Sequence, residues 1–177
     1  MRLKEGEMAP EFDWQDMNDN PVSLRAMQGR YAMLSFYRYA SCPFCNLRVN
    51  ELSQRAASYQ AGGVEMIAVF QSPAEKIKRY AGRQDPPFPI LPDPARHLYQ
   101  LYGVERSWLG MVKAFVGRSP SILSAFGKGY LPGSMEGEVN RLPADFIIGK
   151  SGEILAAYYG QDIGDHMPYE MIERFIV

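Results

Sequence analysis

Cysteine and histidine are scarce in this sequence of 177 residues. Its two cysteines, Cys42 and Cys45, fall within the stretch SCPFC, and its two histidines are His97 and His166. A structural zinc site needs about four ligands. The histidines lie far apart in unrelated surroundings, so they do not complete such a site with the cysteine pair, and iron–sulfur clusters need more thiolates than the chain holds. We therefore expect no metal site.

Neither charge nor long apolar runs stand out. The chain has 19 basic and 20 acidic residues, a formal net charge of −1, which leaves no electrostatic footprint for nucleic acid or an anionic membrane. No apolar run reaches the roughly 18 residues of a membrane-spanning helix. The opening MRLKEGEMAPEF lacks the apolar core of a secretory signal. We expect a cytoplasmic protein, in which a close cysteine pair is catalytic or metal-binding more often than a structural disulfide.

Length and hydrophobic periodicity predict one α/β domain spanning residues 1–177. Strand-like and helix-like segments alternate, which is typical of a mostly parallel sheet with helices on both faces. In chain order, the predicted elements are a strand at 31–38, a helix from Pro43 to the Gly62–Gly63 pair, a strand at 64–71, a helix at 72–82, a strand at 88–91, a helix at 93–103, a hairpin of 146–149 with 153–160, and a helix at 168–177. We expect a capping box of Ser72 with Glu75 on the second helix and an Asp93 cap on the third.

The region 105–140 fits this alternation least well. It holds two apolar segments, SWLGMVKAFVG and SPSILSAFGKG, that glycine and proline interrupt, and then the loop-like stretch YLPGSMEGEVN. We expect a helical insertion near 105–130 whose apolar side chains pack against the main sheet. The alternatives are a subunit interface, which would make a homodimer possible, and a wall of the substrate site.

The cysteine pair lies where the first predicted helix begins. Pro43 suits the first helical position, which places Cys42 at the N-cap and Cys45 in the first turn. Unpaired backbone N–H groups and the helix dipole favour a negative charge there and lower the pKa of a thiol. Two thiols at this spacing can also close a disulfide, the basis of thiol–disulfide exchange. The alternative is a pair of inert buried cysteines.

Other side chains near the pair are further candidates for the site. Arg48 lies one helical turn beyond the second cysteine, where it either stabilises a thiolate or is a solvated helix-face residue. Arg38 ends the preceding strand and either faces the dithiol or points into water; we expect the second. Tyr39 and Phe44 border the sulfurs and shape an apolar rim. His166 precedes the last helix, and we expect a cap or turn residue there rather than a base.

Three ordered stretches resemble the peroxiredoxin-like branch of the thioredoxin-fold superfamily, the alkyl hydroperoxide reductase and thiol-specific antioxidant family. GEMAPEFDWQDMNDNPVSLRAMQGRYAMLSFYR is similar to its N-terminal hairpin and first core strand, FPILPDPARHLYQLYGV to its phenylalanine–proline, aspartate–proline and tyrosine–glycine stretch, and LPADFIIGKSGEI to its later hairpin. The resemblance runs along most of the chain and explains 105–140 least. It implies a three-layer α/β/α thioredoxin-like fold with an N-terminal hairpin extension.

The resemblance implies a hybrid site. On the peroxiredoxin pattern, Cys45 takes the place of the peroxidatic cysteine, Cys42 that of a threonine and Arg38 that of a proline, which leaves Arg38 to replace the missing peroxide-binding groups. On the thioredoxin pattern, Cys42 attacks, Cys45 resolves, and Pro143 takes the place of a cis-proline beside the dithiol. The alternative for Pro143 is an ordinary trans proline that starts a strand. Peroxiredoxins carry an arginine at that landmark, and Arg141 is two residues out of register.

The function implied is a thiol-dependent oxidoreductase in which the cysteine pair cycles between dithiol and disulfide, with hydroperoxides as the expected substrate. The alternatives are a thioredoxin-like disulfide reductase and a non-catalytic redox sensor that has kept the fold. The electron donor would be a thiol, from thioredoxin, glutaredoxin or glutathione. No glycine-rich phosphate loop and no haem or flavin motif occurs, so we expect no cofactor.

Overall fold

The computed structural model describes residues 1–117 and 119–176, and seven strands and six α-helices form within these ranges. The strands are β1 (Asp13–Gln15), β2 (Pro21–Ser23), β3 (Tyr31–Phe36), β4 (Val64–Phe70), β5 (Ile90–Pro92), β6 (Ala144–Ile148) and β7 (Ile154–Tyr159). The helices are α1 (Pro43–Ala61), α2 (Ala74–Arg79), α3 (His97–Leu101), α4 (Trp108–Gly117), α5 (Ser119–Gly127) and α6 (Tyr169–Glu173). Short 3-10 helices cover Arg25–Met27 and Ala81–Gln84.

β3 is the central strand of a five-stranded sheet with the order β5-β4-β3-β6-β7. It pairs in parallel with β4 and antiparallel with β6, so Leu34 lies between Ile67 and Phe146. Its unbroken apolar sequence, YAMLSF, suits a strand that is covered on both faces. β6 pairs antiparallel both with β3 and with β7, to which the tight KSG turn joins it, so β6 runs against the other four strands. The prediction of a mostly parallel sheet thus holds for strand direction, but the sheet is mixed in its pairing.

Alternation along β3 sends successive side chains into two separate cores. Met33 joins the core on the side of α1 and α6, with Ile172. Leu34 joins the opposite core, where Tyr99 of α3 packs together with Phe12, which directly precedes the β1–β2 hairpin. The expected three-layer α/β/α thioredoxin-like fold with an N-terminal hairpin extension is therefore confirmed.

The boundaries of the first two helices differ in how well the sequence predicts them. α1 begins at Pro43 and has Gly62 as its C-terminal cap, as predicted. The segment predicted as one helix at 72–82 instead divides into α2 and the 3-10 helix that follows it. The expected capping box is absent, because the Ser72 hydroxyl accepts the Ala40 N–H at 2.8 Å and donates to Glu136 at 2.9 Å. Ser72 therefore ties α2 to the loop before α1 rather than capping α2.

The remaining boundaries shift by a few residues. β3 ends two residues before the predicted end at 38, and β5 covers 90–92 rather than 88–91. α3 starts at His97 because Arg96 adopts a left-handed backbone (φ 63°). The Asp93 carboxylate nevertheless accepts the N–H groups of His97 and Leu98 at 2.9 and 2.8 Å, so it stabilises the helix start from outside. The last helix is shorter than predicted, and residue 177 lies outside the described residues.

α4 and α5 form the helical insertion expected near 105–130, with residue 118 outside the described part. α5 packs against α1, and Ala114 and Ala125 are buried. Several large apolar side chains of the two helices are exposed: Trp108, Leu109, Val112, Leu123 and Phe126. The expectation that the apolar residues pack against the main sheet is therefore wrong for this outward face. Of the helices described, none is both long and apolar enough to cross a membrane.

Candidate active site

The dithiol lies at the start of α1, just after the loop that follows β3. Cys42 is the N-cap residue of α1 and Cys45 lies in its first turn, as predicted. Cys42 has an extended backbone (φ −66°, ψ 122°), which the following Pro43 favours. The Cys42 carbonyl accepts the N–H of Asn46 at 3.0 Å, the first hydrogen bond of the helix. Both cysteines are free thiols in this structure.

The two neighbouring sulfurs differ in acidity. Burial disfavours the Cys42 thiolate, but the Cys45 thiol, the charge of Arg38 and backbone N–H groups of Cys45 and Phe44 outweigh it and lower the pKa of Cys42 to about 6. Burial and the interaction with Cys42 together raise the pKa of Cys45 well above its ordinary value. At neutral pH the pair therefore holds a thiolate on Cys42 and a thiol on Cys45, and the thiolate is the nucleophilic form.

Arg38 faces the dithiol rather than water, which corrects the expectation from the sequence. Its side chain is buried, and one guanidinium N–H group donates to the Cys42 sulfur at 3.5 Å. A second nitrogen donates to the carbonyl of Val139. The guanidinium carbon also lies 4.9 Å from the centre of the Tyr39 ring. Burial alone would lower the pKa of Arg38, but the charges of Cys42 and Cys45 raise it, so the arginine stays charged.

The two aromatic candidates, Tyr39 and Phe44, are both buried and belong with the sulfurs to one apolar cluster. They shape the surroundings of the thiols as expected, although they form an enclosing wall rather than a rim. The cysteines are themselves buried, with 0% of Cys42 and 1% of Cys45 exposed. A substrate can therefore reach the sulfur of Cys42 only if part of this enclosure moves.

One irregular segment, residues 134–139, lies against the loop that carries Cys42, and we call it the covering segment. The Ser41 hydroxyl donates to the carbonyl of Ser134 at 2.8 Å. Gln71, at the end of β4, forms two hydrogen bonds with the backbone of Glu138, at 2.8 and 3.2 Å. Together with the contact of Arg38 to Val139, these bonds hold the segment over the dithiol.

Arg48 is buried but does not serve the thiols, and neither expectation from the sequence describes it. It donates to the Met167 carbonyl at 2.6 Å, and its guanidinium carbon lies 4.1 Å from the centre of the Tyr169 ring. Burial would lower the pKa of Arg48, but the charge of Asp145 contributes most to raising it. Arg48 thus links α1 to the chain around the start of α6.

His166 and Asp145 form a second buried polar pair. The His166 Nδ1 atom lies 3.0 Å from an Asp145 carboxylate oxygen, which also accepts the Met167 N–H at 2.7 Å. Burial would raise the pKa of Asp145, but His166, Arg48 and Ser35 outweigh it and keep that pKa below its ordinary value. His166 is a turn residue before α6, as expected, but its ring is paired with a carboxylate and does not cap the helix.

Pro143 does not have the cis peptide bond that the thioredoxin pattern implies. None of the peptide bonds in residues 1–117 and 119–176 is cis, so the Leu142–Pro143 bond is trans and the proline simply precedes β6. The Leu142 N–H donates to the Glu105 carbonyl at 3.0 Å, which ties the residue before Pro143 to the chain that precedes α4. Arg141 is likewise structural, since it donates to the Val104 carbonyl at 2.5 Å and forms an ion pair with Glu138.

Sequence reasoning missed Asp145 and Gln71. Asp145 is a lone carboxylate within the apolar strand ADFII, and a charge at a fully buried strand position needs a partner. That signal was available. Gln71 follows the equally apolar strand VEMIAVF, but its partner Glu138 is far away in sequence, so no local pattern indicates it.

These residues include no metal centre: across the part of the chain that the structure describes, no group of three or more His, Cys, Asp or Glu side chains is placed to hold an ion. What the three-layer fold brings together is a thiolate, a neighbouring thiol and a buried arginine at a helix start. The fold and this site define a thiol-dependent oxidoreductase of the thioredoxin fold.

A family model described as AhpC/TSA matches residues 6–157, and the chain belongs to that family. Peroxiredoxin Bcp of Escherichia coli is 27% identical over 128 residues, which cover 71% of this chain and 82% of that protein. The thiol-disulfide oxidoreductase ResA of Halalkalibacterium halodurans is 29% identical over 100 residues, 56% of each chain. The crystal structure of peroxidoxin BcpB from Mycobacterium tuberculosis superposes with a TM-score of 0.69 at 16% identity, over 99% of this chain and 97% of that one. The protein is accordingly an enzyme of the thiol peroxidase and thiol–disulfide oxidoreductase class.

Proposed function

We propose that this enzyme reduces hydroperoxides through a dithiol–disulfide cycle of Cys42 and Cys45. The observation that carries the proposal is the setting of the Cys42 sulfur, which lies at the N-cap of α1 within 3.5 Å of an Arg38 nitrogen and beside the Cys45 thiol. This setting favours the nucleophilic thiolate on Cys42. Cys42 is therefore the proposed attacking residue, although the peroxiredoxin pattern aligns Cys45 with the peroxidatic position.

In the proposed first step, the Cys42 thiolate attacks the terminal oxygen of the hydroperoxide. The O–O bond breaks, a sulfenic acid forms on Cys42, and the alkoxide takes up a proton and leaves as an alcohol. The Cys45 thiol then attacks the sulfenic sulfur; the S–O bond breaks, water leaves, and the disulfide forms. A thiol donor from thioredoxin, glutaredoxin or glutathione returns two electrons and two protons by thiol–disulfide exchange.

Arg38 has the central supporting role in this proposal. Its guanidinium is fixed beside the Cys42 sulfur before any substrate binds, so it can stabilise the negative charge that moves onto the leaving oxygen. Tyr39 and Phe44 keep water away from the sulfurs. Arg48 and Pro143 support the site from a distance, by holding the start of α6 and the start of β6 in place.

A disulfide reductase is the second candidate, because a buried Cys-x-x-Cys pair with the thiolate on the first cysteine also suits attack on a disulfide. ResA, one of the relatives, carries the name thiol-disulfide oxidoreductase. The two candidates differ in the oxidant: a small hydroperoxide requires only a limited displacement of the enclosure around Cys42, whereas a protein disulfide requires the whole covering segment to open.

The test is to mix the reduced protein with hydrogen peroxide or cumene hydroperoxide and to follow thiol loss. A peroxidase gives a rate constant on the order of 10⁴ M⁻¹s⁻¹ or more. Cys42→Ser abolishes the reaction, and Cys45→Ser reacts once and stops at the sulfenic acid. A rate no greater than that of free cysteine, with efficient reduction of insulin disulfides, favours the reductase. If both activities stay at background while oxidation changes partner binding, the protein is a redox sensor.

We propose further that residues 1–177 act as one domain in the cytoplasm, where a thiol donor keeps the pair reduced. The exposed apolar side chains of α4 and α5, which include Trp108, Leu109 and Leu123, support a homodimer formed through this face. Sedimentation of the wild-type protein beside a Leu109→Glu variant tests the dimer, since a buried charge at the interface would dissociate it.

A further inference from the structure

A groove of about 460 Å³ lies on the side of the dithiol that faces α2. One wall consists of α2 and the 3-10 helix that follows it, and the opposite wall consists of residues 128–133. Asn46 of the first turn of α1 also lines it. Because Asn46 directly follows Cys45, the groove begins beside the helix turn that carries the sulfurs.

The charged side chains that line this groove are all basic. They are Arg79 and Arg83 on one wall and Lys128 on the other, and no carboxylate of the described residues lines the groove. Both arginines are exposed, and the structure shows neither in an ion pair within the described ranges. The Lys128 ammonium group donates to the side-chain oxygen of Asn50 at 2.9 Å, which is a neutral partner. A protein with a net charge of −1 therefore concentrates positive charge here, and guanidinium groups suit carboxylates in particular.

A chain of hydrogen bonds connects the groove to the dithiol loop. The Tyr130 hydroxyl donates to the Gln84 side-chain oxygen at 2.9 Å, and the Gln84 amide donates to the Asn46 side-chain oxygen at 3.2 Å. The buried Asn46 amide in turn donates to the carbonyls of Ala40 and Cys42, at 2.7 and 2.9 Å. Contact with Tyr130 or Gln84 is therefore contact with the network that positions the loop before α1.

The wall of residues 128–133 continues directly into the covering segment. Gly133 packs so closely on Tyr80 that a Cβ atom there would lie 2.4 Å from the tyrosine hydroxyl oxygen. A molecule held between Arg83 and Lys128 therefore touches both the 3-10 helix after α2 and the chain that leads over Cys42, so that displacement of this chain would bring the molecule's far end from Asn46 toward the sulfurs.

We propose that this groove binds the carboxylate of a small anionic co-substrate of the dithiol reaction. The inference rests on the proposed function, because it names a chemical class for one of that reaction's small molecules. The carboxylate has two possible sources, the thiol that reduces the disulfide and a carboxylated hydroperoxide that oxidises the dithiol. Either molecule would be anchored by its carboxylate at Arg79 and Arg83 and would present its reactive end to Cys42.

The experiment measures each half-reaction with an acid and its ester. In the reductive arm, the disulfide form is reduced by glutathione or by glutathione diethyl ester. In the oxidative arm, the dithiol form is oxidised by linoleic acid hydroperoxide or by its methyl ester. Both arms use the wild type, the double variant Arg79→Gln/Arg83→Gln, and Lys78→Gln as a control. Lys78 is an exposed cation of the same helix that does not line the groove.

We expect the double variant to react about tenfold more slowly than the wild type with one of the free acids, because a charge-assisted contact is lost. Its rate with the corresponding ester should stay within about twofold of the wild-type rate. Lys78→Gln should leave both reagents unchanged. A loss confined to glutathione identifies the reducing thiol as the source of the carboxylate, and a loss confined to linoleic acid hydroperoxide identifies the oxidant. Equal rates for acids and esters in every variant would overturn the inference.

A binding measurement separates this inference from the proposed function. Unreactive S-methylglutathione and linoleate are titrated into the full-length protein by NMR, and oxidation of Cys42 by hydrogen peroxide is followed in parallel. If either probe binds the wild type and not the double variant while hydrogen peroxide leaves Cys42 unchanged, the carboxylate site stands and the proposed peroxidase fails. If neither probe binds while hydrogen peroxide oxidises Cys42, the proposed function stands and the groove is not a carboxylate site.

Discussion

Arg38 and Arg48 both place a buried positive charge near the start of α1, but they serve partners of different kinds. Arg48 donates to the Met167 carbonyl and lies over the Tyr169 ring, and its charge acts at longer range on the Asp145 carboxylate, whose pKa is held below its ordinary value. Arg38 faces Cys42, whose sulfur carries a charge only when the thiol is ionised and reduced. The Arg48 cluster therefore keeps its charges in every state of the dithiol. Arg38, in contrast, faces a negative charge only when Cys42 is a thiolate. Arg48 therefore contributes to the stability of the fold, and Arg38 contributes to the reactivity of Cys42.

The covering segment sharpens the contrast. It lies over the Arg38 cluster, and Arg38 itself donates to Val139 within it. Arg48 instead donates to Met167, next to the short helix α6. A change in the charge of Cys42 thus acts on a guanidinium that also holds irregular chain, and we expect opening of the segment to depend on the state of the dithiol.

We expect the greatest loss of stability from a change in the Arg48 cluster. Asp145→Asn keeps the size of the side chain but removes the buried carboxylate that pairs with His166 at 3.0 Å and offsets the buried charge of Arg48. Breaking a buried pair in this way costs about 3–5 kcal/mol. Urea denaturation should show a loss of that order. A loss below about 1 kcal/mol would contradict the structural role, and the pH profile of Cys42 alkylation in the same variant should stay close to that of the wild type.

The next prediction concerns the reactive cluster. Arg38→Met removes the charge beside the Cys42 sulfur at similar side-chain length, so the pKa of Cys42 should rise from about 6 toward the ordinary value of 9.0, although the hydrogen bond with Cys45 still lowers it. The thiolate fraction at neutral pH should then fall by about tenfold or more. The measurement is the pH midpoint of alkylation by iodoacetamide, which does not depend on access. Arg48→Met is the matched control and should leave the midpoint in place; an unshifted midpoint in Arg38→Met would show that Arg38 does not set the acidity.

Stability should depend on pH through Cys42. Its pKa in the folded protein, about 6, is lower than the ordinary value of 9.0, so folding favours the thiolate. That stabilisation is complete above the unfolded pKa and is lost as pH falls through the folded one. The reduced protein should therefore gain about 2 kcal/mol between about pH 5 and pH 7.5. Urea denaturation of the reduced and the disulfide forms tests this, because the disulfide has no thiol to titrate; identical pH profiles for the two forms would refute it.

The smallest predicted effect is on access to the site. Gln71→Ala removes two hydrogen bonds that hold the backbone of Glu138 over the dithiol. Alkylation of Cys42 at fixed pH should become about fivefold faster, since neutral hydrogen bonds contribute about 0.5–1.5 kcal/mol each. Gln100→Ala, at an exposed glutamine of α3, is the control. Equal rates in the two variants would mean that the covering segment does not limit access.

Much of the fold follows from local patterns. The position of α1 is predictable because its end signals, Pro43 and the Gly62–Gly63 pair, are local and need no distant partner. The β6–β7 hairpin is predictable for the same reason, since a short turn joins two apolar strands. Predictions that need a distant partner fail: Ser72 does not cap α2, because Glu136 and Ala40 occupy its hydroxyl.

In the site, too, local features are predictable and contacts with distant residues are not. By itself, the sequence determined that two thiols stand at a helix start, because Cys42, Pro43 and Cys45 are covalent neighbours whose spacing and backbone preferences act locally. The tertiary structure is needed to show that Arg38 turns toward sulfur and that Arg48 turns toward Met167 and Tyr169. Each guanidinium points to whichever buried negative charge or carbonyl the distant chain supplies, and no pattern along one stretch of residues encodes that choice.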